Sequence, residues 1–336
     1  MRLVTKLLSV MGIEAASRFY YMLRGYSGMS YLDPEIDIAL VTGGCSGLGA
    51  NIVKQLRAQN VPVVVLDILD PAEQVEGVYY LKCDISNRQQ VLDALEVIKL
   101  EVGNVTVLIN NAAVTHGKTI IGLEYEEIEK CIAINLLSQF YTIKAFLPGM
   151  LQIGRGYIVI ISSVMAYIGP VKLSAYAASK AGLLGLYESL TYELGPNAEY
   201  ESGVRTVLVT TGQMSTMLFE GVNTPHRLAA RILETSEVAD RVMLALNRGE
   251  QGRITLPVYA KLMPIVRVLP RTLVSAFRFI SGIDHGMDTF LGDRQHVASI
   301  AHPVVSSSNG HASSSLNGNG TGSKLNGNGK AVLIQE

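Results

Sequence analysis

The middle of the chain alternates short apolar runs with longer stretches of helical periodicity. The short runs are β-branched and apolar at successive positions, the pattern of strands that are buried on both faces. Strands are predicted at 36–42, 61–67, 78–83, 105–110, 157–162, 204–209 and 253–256. Helices are predicted between them, at 49–59, 88–102, 125–150, 175–194 and 236–247.

Strands that alternate with helices pair in parallel through right-handed crossovers. We therefore predict an α/β fold, a doubly wound parallel sheet of the Rossmann type with about seven strands and helices on both faces. It occupies a single domain over residues 35–256. Ligands of such sheets bind beyond the carboxyl ends of the strands, so the chemistry is expected there.

Three segments lie outside this domain. Residues 1–34 and 257–302 are apolar, and their charges are mostly positive; residues 256–283 contain no acid. The cations of that stretch are Lys261, Arg267, Arg271 and Arg278. Central cations and prolines disfavour a bilayer span, so the C-terminal segment is predicted to lie at a membrane surface, to close over the substrate cleft, or both. Residues 1–34 are predicted to be a membrane anchor, and the Ser/Asn/Gly-rich residues 303–336 to be disordered.

Composition narrows the possible partners. The 336 residues carry a formal net charge of −1, with 48% hydrophobic and only 17% charged residues, against about 25% charged in ordinary soluble proteins. A near-neutral chain has no electrostatic attraction for nucleic acid, whereas the shortage of charge raises the question of lipid contact. Cys45, Cys83 and Cys131 form no CxxC pair, which predicts a reducing compartment, no secretion, no disulfide framework and no metal site.

A glycine-rich turn joins the first predicted strand to the first predicted helix. Its residues Thr42, Gly43, Ser46, Gly47, Leu48 and Gly49 are the predicted cofactor contacts. Such a turn lets the backbone approach a pyrophosphate, whose charge the N–H groups at the helix start stabilise. Glycines also occur between strand and helix merely to allow tight packing, so the turn alone leaves both interpretations open.

Asp67 ends the second predicted strand, where a carboxylate can accept hydrogen bonds from both hydroxyls of the adenosine ribose. It would repel a 2′-phosphate, and no Arg or Lys lies in the turn or directly after Asp67 to offset that repulsion. NAD(H) is therefore favoured, with NADP(H) still possible. The alternative is a solvated polar residue at a strand end.

Tyr176 and Lys180 stand at i and i+4 and so share one helix face. A nearby ammonium and the positive nicotinamide of an oxidised cofactor should lower the phenol pKa from about 10 and make Tyr176 an acid/base for alcohol and carbonyl chemistry. Ser163 follows the fifth predicted strand, where its hydroxyl can hold the substrate oxygen. Tyr-x-x-x-Lys also occurs by chance, but here it accompanies the glycine turn, Asp67 and Ser163.

Together these blocks, over residues 38–216, resemble the short-chain dehydrogenase/reductase family. The resemblance implies an oxidoreductase with Ser163, Tyr176 and Lys180 as catalytic residues and with Asn135 holding a relay water through its backbone. It implies further cofactor contacts at Asp84, Ile85, Asn110, Asn111, Thr211 and Thr216, besides Tyr176 and Lys180 themselves. Two positions depart from the family pattern: Ala113 replaces a glycine, and Thr211-Gly212 replaces Pro-Gly and leaves that loop less rigid.

Residues 103–111 and 142–150 look most like the membrane- and lipid-droplet-associated retinol and 17β-hydroxysteroid dehydrogenases. That resemblance implies a lipophilic substrate of retinoid, steroid or long-chain type, and a place on the endoplasmic reticulum or a lipid droplet, facing the cytosol. Two alternatives stay open: an NADPH-dependent ketoreductase of a sphingoid, acyl or polyketide intermediate, and a non-catalytic nucleotide-binding membrane protein. Related enzymes pair through helices such as those at 125–150 and 175–194, so a homodimer is also considered.

Overall fold

Seven parallel strands form the sheet in the computed structural model, which describes residues 32–195, 202–222 and 231–291. The strands are β1 (Ala39–Thr42), β2 (Val63–Asp67), β3 (Val78–Lys82), β4 (Val107–Asn110), β5 (Gly156–Ser163), β6 (Val204–Thr211) and β7 (Gly252–Leu256). Their spatial order is β3-β2-β1-β4-β5-β6-β7. The predicted doubly wound parallel sheet is confirmed, and the order reverses between β1 and β4, where such sheets bind their ligands.

Helices connect the strands across both faces of the sheet. The longer ones are α1 (Gly47–Ala58), α2 (Arg88–Glu101), α3 (Tyr125–Ile132), α4 (Ser138–Ile153), α5 (Ser174–Leu194) and α6 (Thr235–Arg248). The helix predicted at 125–150 is interrupted: a π-helical turn, Ala133–Leu137, separates α3 from α4. A π turn adds a single residue to the helix and leaves the apolar spacing nearly unchanged, so hydrophobic periodicity does not reveal it.

Both faces of the sheet are buried in apolar cores. Leu40 of β1 packs on the side covered by α2, α4 and α5, whereas the next residue, Val41, packs on the side of α1 and α6. Val64 and Val65 of β2 divide in the same way. This double covering explains why the strand sequences are apolar at successive positions.

A buried ion pair fastens the amino end of the sheet. Arg155 donates from Nε to Asp37 Oδ1 at 2.9 Å and from Nη2 to Asp37 Oδ2 at 2.7 Å. The Thr106 hydroxyl donates to the same carboxylate at 2.8 Å. Burial opposes the ionisation of Asp37, but these hydrogen bonds and the guanidinium charge outweigh it and lower the pKa of Asp37.

After β7 the chain forms short helical elements: a 3₁₀ turn (Val258–Leu262), α7 (Met263–Val266), α8 (Arg271–Ser281) and a second 3₁₀ turn (Ile283–His285). Met263 and Val266 pack against Ile168, a few residues beyond β5. Within the described ranges, the helices are all too short or too polar to cross a bilayer. Of the predicted anchor only residues 32–34 are described, and the predicted tail, 303–336, lies outside the described residues.

Candidate active site

The turn between β1 and α1 has a backbone that requires glycine. Gly43 and Gly47 have φ values of +65° and +53°, which side chains rarely adopt. A Cβ on Gly43 would lie 3.0 Å from the Cα of Ala112, and a Cβ on Gly49 would overlap the Gly43 carbonyl oxygen. Gly43 and Gly49 therefore allow close packing of the turn, whereas a Cβ on Gly47 would have only the Thr216 methyl group within 4 Å, which leaves room there for a phosphate at the helix terminus.

Asp67 is tied to this turn by its carboxylate. Its Oδ2 accepts a hydrogen bond from the Cys45 N–H at 2.9 Å, and its Oδ1 accepts one from the Leu69 N–H at 3.0 Å. Each oxygen keeps a second lone pair, with which a ribose hydroxyl can still be bound. This second, structural role of Asp67 was not predicted, since nothing in the spacing indicates that β2 reaches the turn.

The other residues of the turn divide between surface and core. Ser46 is exposed and makes no side-chain capping bond to α1, while Leu48 is buried beneath the turn, so that only its backbone can face a ligand. The Thr42 hydroxyl accepts hydrogen bonds from the backbone N–H groups of Asn111 at 3.0 Å and Ala112 at 3.2 Å. Asn111 Nδ2 donates back to the Thr42 carbonyl at 3.1 Å. These bonds lock β1 to the end of β4.

Five side-chain polar atoms are buried without a partner among the described residues, and two of them belong to predicted cofactor contacts, Asn110 Nδ2 and Thr216 Oγ1. The other amide atom, Asn110 Oδ1, accepts a hydrogen bond from the Thr142 hydroxyl at 2.8 Å. Thr216 opens a 3₁₀ turn, and its methyl group lies 3.6 Å from the Cβ position of Gly47. Because buried polar groups are normally satisfied, these two atoms indicate a polar ligand beside the glycine turn.

The remaining predicted cofactor contacts also lie at the carboxyl ends of strands. The Asp84 carboxylate, just past β3, accepts hydrogen bonds from the Ser86 N–H at 2.9 Å and the Ser86 hydroxyl at 2.6 Å. Ile85 is buried in the core beneath it. Thr211 ends β6, where its hydroxyl donates to the Ser162 carbonyl at 3.4 Å. The predicted set therefore follows one edge of the sheet.

Ser163, Tyr176 and Lys180 meet at that edge. Ser163 ends β5, and Tyr176 and Lys180 lie one turn apart on α5; they are 6%, 5% and 2% exposed. The Ser163 hydroxyl accepts a hydrogen bond from the Met165 N–H at 3.2 Å and lies near the Tyr176 phenol. Lys180 Nζ lies 5.6 Å from the Tyr176 ring centroid and donates to the Ile161 carbonyl at 2.9 Å.

Asn135, in the π-helical turn, connects three parts of the site. Its Oδ1 accepts from the Val114 N–H at 2.8 Å, and its Nδ2 donates to the Val114 carbonyl at 2.9 Å and to Ser179 Oγ at 3.1 Å. The Ser179 hydroxyl donates in turn to the Tyr176 carbonyl at 2.7 Å, and the Cys131 sulfur lies 3.4 Å from Asn135 Nδ2. Ser179 and Cys131 were not predicted as site residues; the only signal was the i, i+4 spacing of Cys131 and Asn135.

Burial controls the ionisation of the two titratable groups. It raises the pKa of Tyr176 despite the hydrogen bond with Ser163, and it lowers the pKa of Lys180 to about 8. Among the chain's own groups, burial therefore raises the phenol pKa by more than the Ser163 side chain lowers it. A phenolate at neutral pH needs a further positive charge beside the ring, such as an oxidised nicotinamide would bring.

Apolar side chains cover the outward side of Tyr176. The Phe219 ring packs edge-on at a centroid distance of 5.5 Å, and Leu173 and Met287 are buried in the same cluster. Residues 115–117 line the depression that opens onto Tyr176. The depression has room for about one water molecule, and Thr115, His116 and Lys172 add polar atoms to its lining.

Comparison with known proteins agrees with this geometry. A family model described as short chain dehydrogenase matches residues 37–227. An uncharacterized oxidoreductase of Saccharomyces cerevisiae is 30% identical over 75% of this chain and 83% of its own. Estradiol 17-beta-dehydrogenase 11 of Macaca fascicularis is 29% identical over 72% of this chain and 82% of its own. A short-chain dehydrogenase structure from Streptomyces avermitilis superposes with a TM-score of 0.60 at 22% identity, covering 73% of this chain and 96% of that one. The chain belongs to the short-chain dehydrogenase family of oxidoreductases.

Enzymes of this family use NAD(P), and the residues present fit such a cofactor. The bare glycine turn leaves space for the pyrophosphate, Asp67 presents a carboxylate at the end of β2, and Thr216 has a buried hydroxyl with no partner among the described residues. The predicted family and enzyme class are thereby confirmed. In the described parts of the chain, the metal-ligating side chains do not gather in groups of three or more.

Proposed function

We propose that the protein interconverts a lipophilic alcohol and its carbonyl with NAD(H) at Tyr176, on a membrane or lipid-droplet surface. The observation that carries this proposal is the meeting of Ser163, Tyr176 and Lys180 at the base of an apolar wall, on the sheet edge that also holds the glycine turn. When bound, the nicotinamide supplies or accepts the hydride.

Each residue of the group has one task in this proposal. Tyr176 gives its phenolic proton to the carbonyl oxygen in reduction and takes a proton from the alcohol in oxidation. Ser163 holds the same substrate oxygen by a hydrogen bond. Lys180, anchored on the Ile161 carbonyl, binds the nicotinamide ribose and in its charged form favours the phenolate. The Asn135 backbone holds the water through which Lys180 exchanges protons with solvent.

Removal of the phenol tests this assignment. Tyr176→Phe should lower turnover by at least about a hundredfold, since it removes the proton donor, and should leave NADH affinity unchanged. Tyr192→Phe is the matched control, because Tyr192 lies on the same helix and is 69% exposed. Substantial turnover by Tyr176→Phe would contradict the assignment. Intact NADH binding without turnover of any substrate by the wild type would favour the non-catalytic alternative.

The cofactor preference rests on the charge of Asp67. Asp67→Asn keeps an acceptor oxygen for the backbone of the turn and removes the charge that would repel a 2′-phosphate. We expect NADPH affinity to rise relative to NADH affinity, as measured by titration of each reduced cofactor. An unchanged ratio would show that Asp67 does not select the cofactor and would favour the NADPH-dependent alternative.

The substrate class is inferred from the wall around Tyr176 and from the steroid substrate named for one relative. We expect cofactor-coupled turnover within a panel of retinoids, steroids and long-chain alcohols and ketones, assayed with detergent-solubilised protein. Activity confined to a 3-keto sphingoid, acyl or polyketide intermediate would move the assignment to the ketoreductase alternative.

Location at a lipid surface is supported by the outer face of α8. Leu273, Phe279 and Ile280 are exposed there, Phe279 by 89%, and the exposed cation Arg271 lies on the same helix. An amphipathic helix with this distribution can lie in the headgroup region. Phe279→Asp in the full-length chain should reduce flotation with anionic phospholipid vesicles. Leu100→Asp on α2, also at an exposed apolar residue, should not; equal flotation of the two would count against α8 as a lipid contact.

Self-association is inferred from exposed apolar residues on the π turn, α4 and α5, the helices through which related enzymes pair. Leu137, Phe140 and Leu151 are exposed along the π turn and α4, and Tyr192 is exposed on α5. Burial of such residues between two chains would stabilise a dimer. Light scattering should give a dimer for the wild type and a monomer for Phe140→Asp; a monomeric wild type would refute this part of the proposal.

A further inference from the structure

The loop that joins Ser163 to α5 is covered from outside by the segment after β7. We call residues 164–172 the bridging loop and residues 258–291 the C-terminal cap. The loop begins directly after Ser163 and ends four residues before Tyr176, so it connects the two ends of the site. Val164 and Ile168 of the loop pack into one apolar cluster with Met263 and Val266 of the cap.

Two arginines of the cap bind the backbone of this loop. Arg267 donates from Nη2 to the Ala166 carbonyl at 2.6 Å. Arg278 donates from Nη1 and Nη2 to the Gly169 carbonyl at 3.0 and 3.1 Å. From the sequence, the segment that holds these arginines was predicted to lie at a membrane surface, to close over the substrate cleft, or both. In the structure their guanidinium groups bind the loop at the protein surface, where they supply donors to backbone carbonyl groups.

An acidic residue completes the attachment around Arg278. Asp284 accepts a hydrogen bond from Arg278 Nε at 3.0 Å and also pairs with Arg278 Nη2. The same carboxylate accepts the Val171 N–H at 3.2 Å. Next along the loop, Lys172 has a left-handed backbone, φ +68°, and donates to Asp288 at 2.7 Å. The cap therefore holds the loop at successive points from one end to the other.

We propose that Arg267 and Arg278 are positioning residues that fix the bridging loop and so determine which substrates fit between Ser163 and Tyr176. This inference rests on the function proposed above, because it concerns the substrate of the same site. Met165 of the loop packs against the apolar cluster that contains Tyr176, so a shift of the loop reaches the site. A loosened loop has to be ordered by the substrate on binding, which weakens substrate affinity without altering proton transfer.

The first test measures the loop directly and needs no substrate. In Arg278→Met, hydrogen exchange of the Val171 amide should accelerate by about tenfold or more, since its acceptor Asp284 loses the residue that orients it. Arg271→Met is the matched control: Arg271 lies on the same helix, is exposed, and has no hydrogen bond or ion pair to the described residues. It should leave the exchange unchanged. Equal exchange in the two variants would refute the proposal.

The second test separates positioning from general stability. With the best substrate of the panel, Arg278→Met should raise KM by about five- to twentyfold, with kcat within about threefold and NADH affinity unchanged. If the rise in KM is accompanied by parallel falls in kcat and in NADH affinity, Arg278 only supports the fold, and the proposal is wrong. If Arg278→Met does not fold, the Val171 amide exchange and the kinetic constants are measured on Asp284→Asn instead. Failure of the proposed function appears separately, as full activity of Tyr176→Phe.

Discussion

Replacement of Lys180 by Met should stabilise the cofactor-free protein near pH 7, even though it removes a residue assigned to the reaction. The ammonium is 2% exposed, and burial lowers the pKa of Lys180 from 10.5 to about 8. That difference corresponds to about 3 kcal/mol of destabilisation while the group is charged. Loss of the hydrogen bond to the Ile161 carbonyl costs about 1 kcal/mol in return. The expected net gain is about 2 kcal/mol.

The gain should depend on pH with a definite sign. The unfolded lysine keeps its proton up to pH 10.5, while the folded one releases it above about 8. The penalty of the buried charge is therefore complete below about pH 8 and fades between there and 10.5, as the unfolded state binds more protons than the folded state. The advantage of Lys180→Met over the wild type should fall from about 2 kcal/mol at pH 7 to nearly zero at about pH 10.

Urea unfolding at a series of pH values from neutral to alkaline measures this difference. The chain has no tryptophan, so far-UV circular dichroism is the suitable signal. Lys82→Met, at an exposed position of β3, is the matched control and should stay within about 0.5 kcal/mol of the wild type throughout. A Lys180→Met protein less stable than the wild type at pH 7, or a gain that does not shrink with rising pH, would refute the reasoning.

Three further predictions concern the sheet and the cofactor turn. Asp37→Asn should lower the free energy of unfolding by about 3 kcal/mol in urea titrations, because Arg155 loses its buried counter-charge. In the wild type the stabilisation by this ion pair should be complete above pH 3.8 and should be lost as the pH falls through the lowered pKa of Asp37. Gly49→Ala should abolish NADH binding in a fluorescence titration, because its Cβ would overlap the backbone of the turn; retained affinity would contradict that. Thr142→Val should lower the free energy of unfolding by about 1–3 kcal/mol, since the buried side-chain oxygen of Asn110 would lose its hydrogen-bond donor. An unchanged stability in thermal unfolding would show that this oxygen finds another donor.

The strands were predictable because their apolar residues are continuous, but their ends were not. β6 was predicted at 204–209 and extends to Thr211, with Thr210 and Thr211 paired to Ser162 and Ser163 of β5. These polar residues continue the hydrogen-bonded ladder although they interrupt the hydrophobic pattern. The same extension carries Ser163 to the edge of the site.

The grouping of the site residues at strand ends was predictable because parallel strands finish at one edge. The C-terminal segment was predicted as one that could close over the cleft. Its attachment to the bridging loop was not predictable, since Arg278 and Gly169 are 109 residues apart and the acceptor is a backbone carbonyl without a side-chain signature. The opposing effect of burial on the pKa of Tyr176 was not predicted either. Desolvation depends on packing around the ring, which spacing along the sequence does not reveal.

The π-helical turn, Ala133–Leu137, inserts one extra residue into the helical segment from Tyr125 to Ile153. Deletion of one residue within the turn would restore a regular helix and leave α4 in its present phase, since the turn already absorbs the extra residue. It would move Asn135 away from Val114 and Ser179, whose polar groups it now binds. A deletion scan should therefore find single-residue losses at 133–137 that keep the fold but lose turnover, whereas losses in the surface turn at 119–122 should keep both. In this protein one surplus backbone residue gives the site a side chain that a regular helix would hold elsewhere.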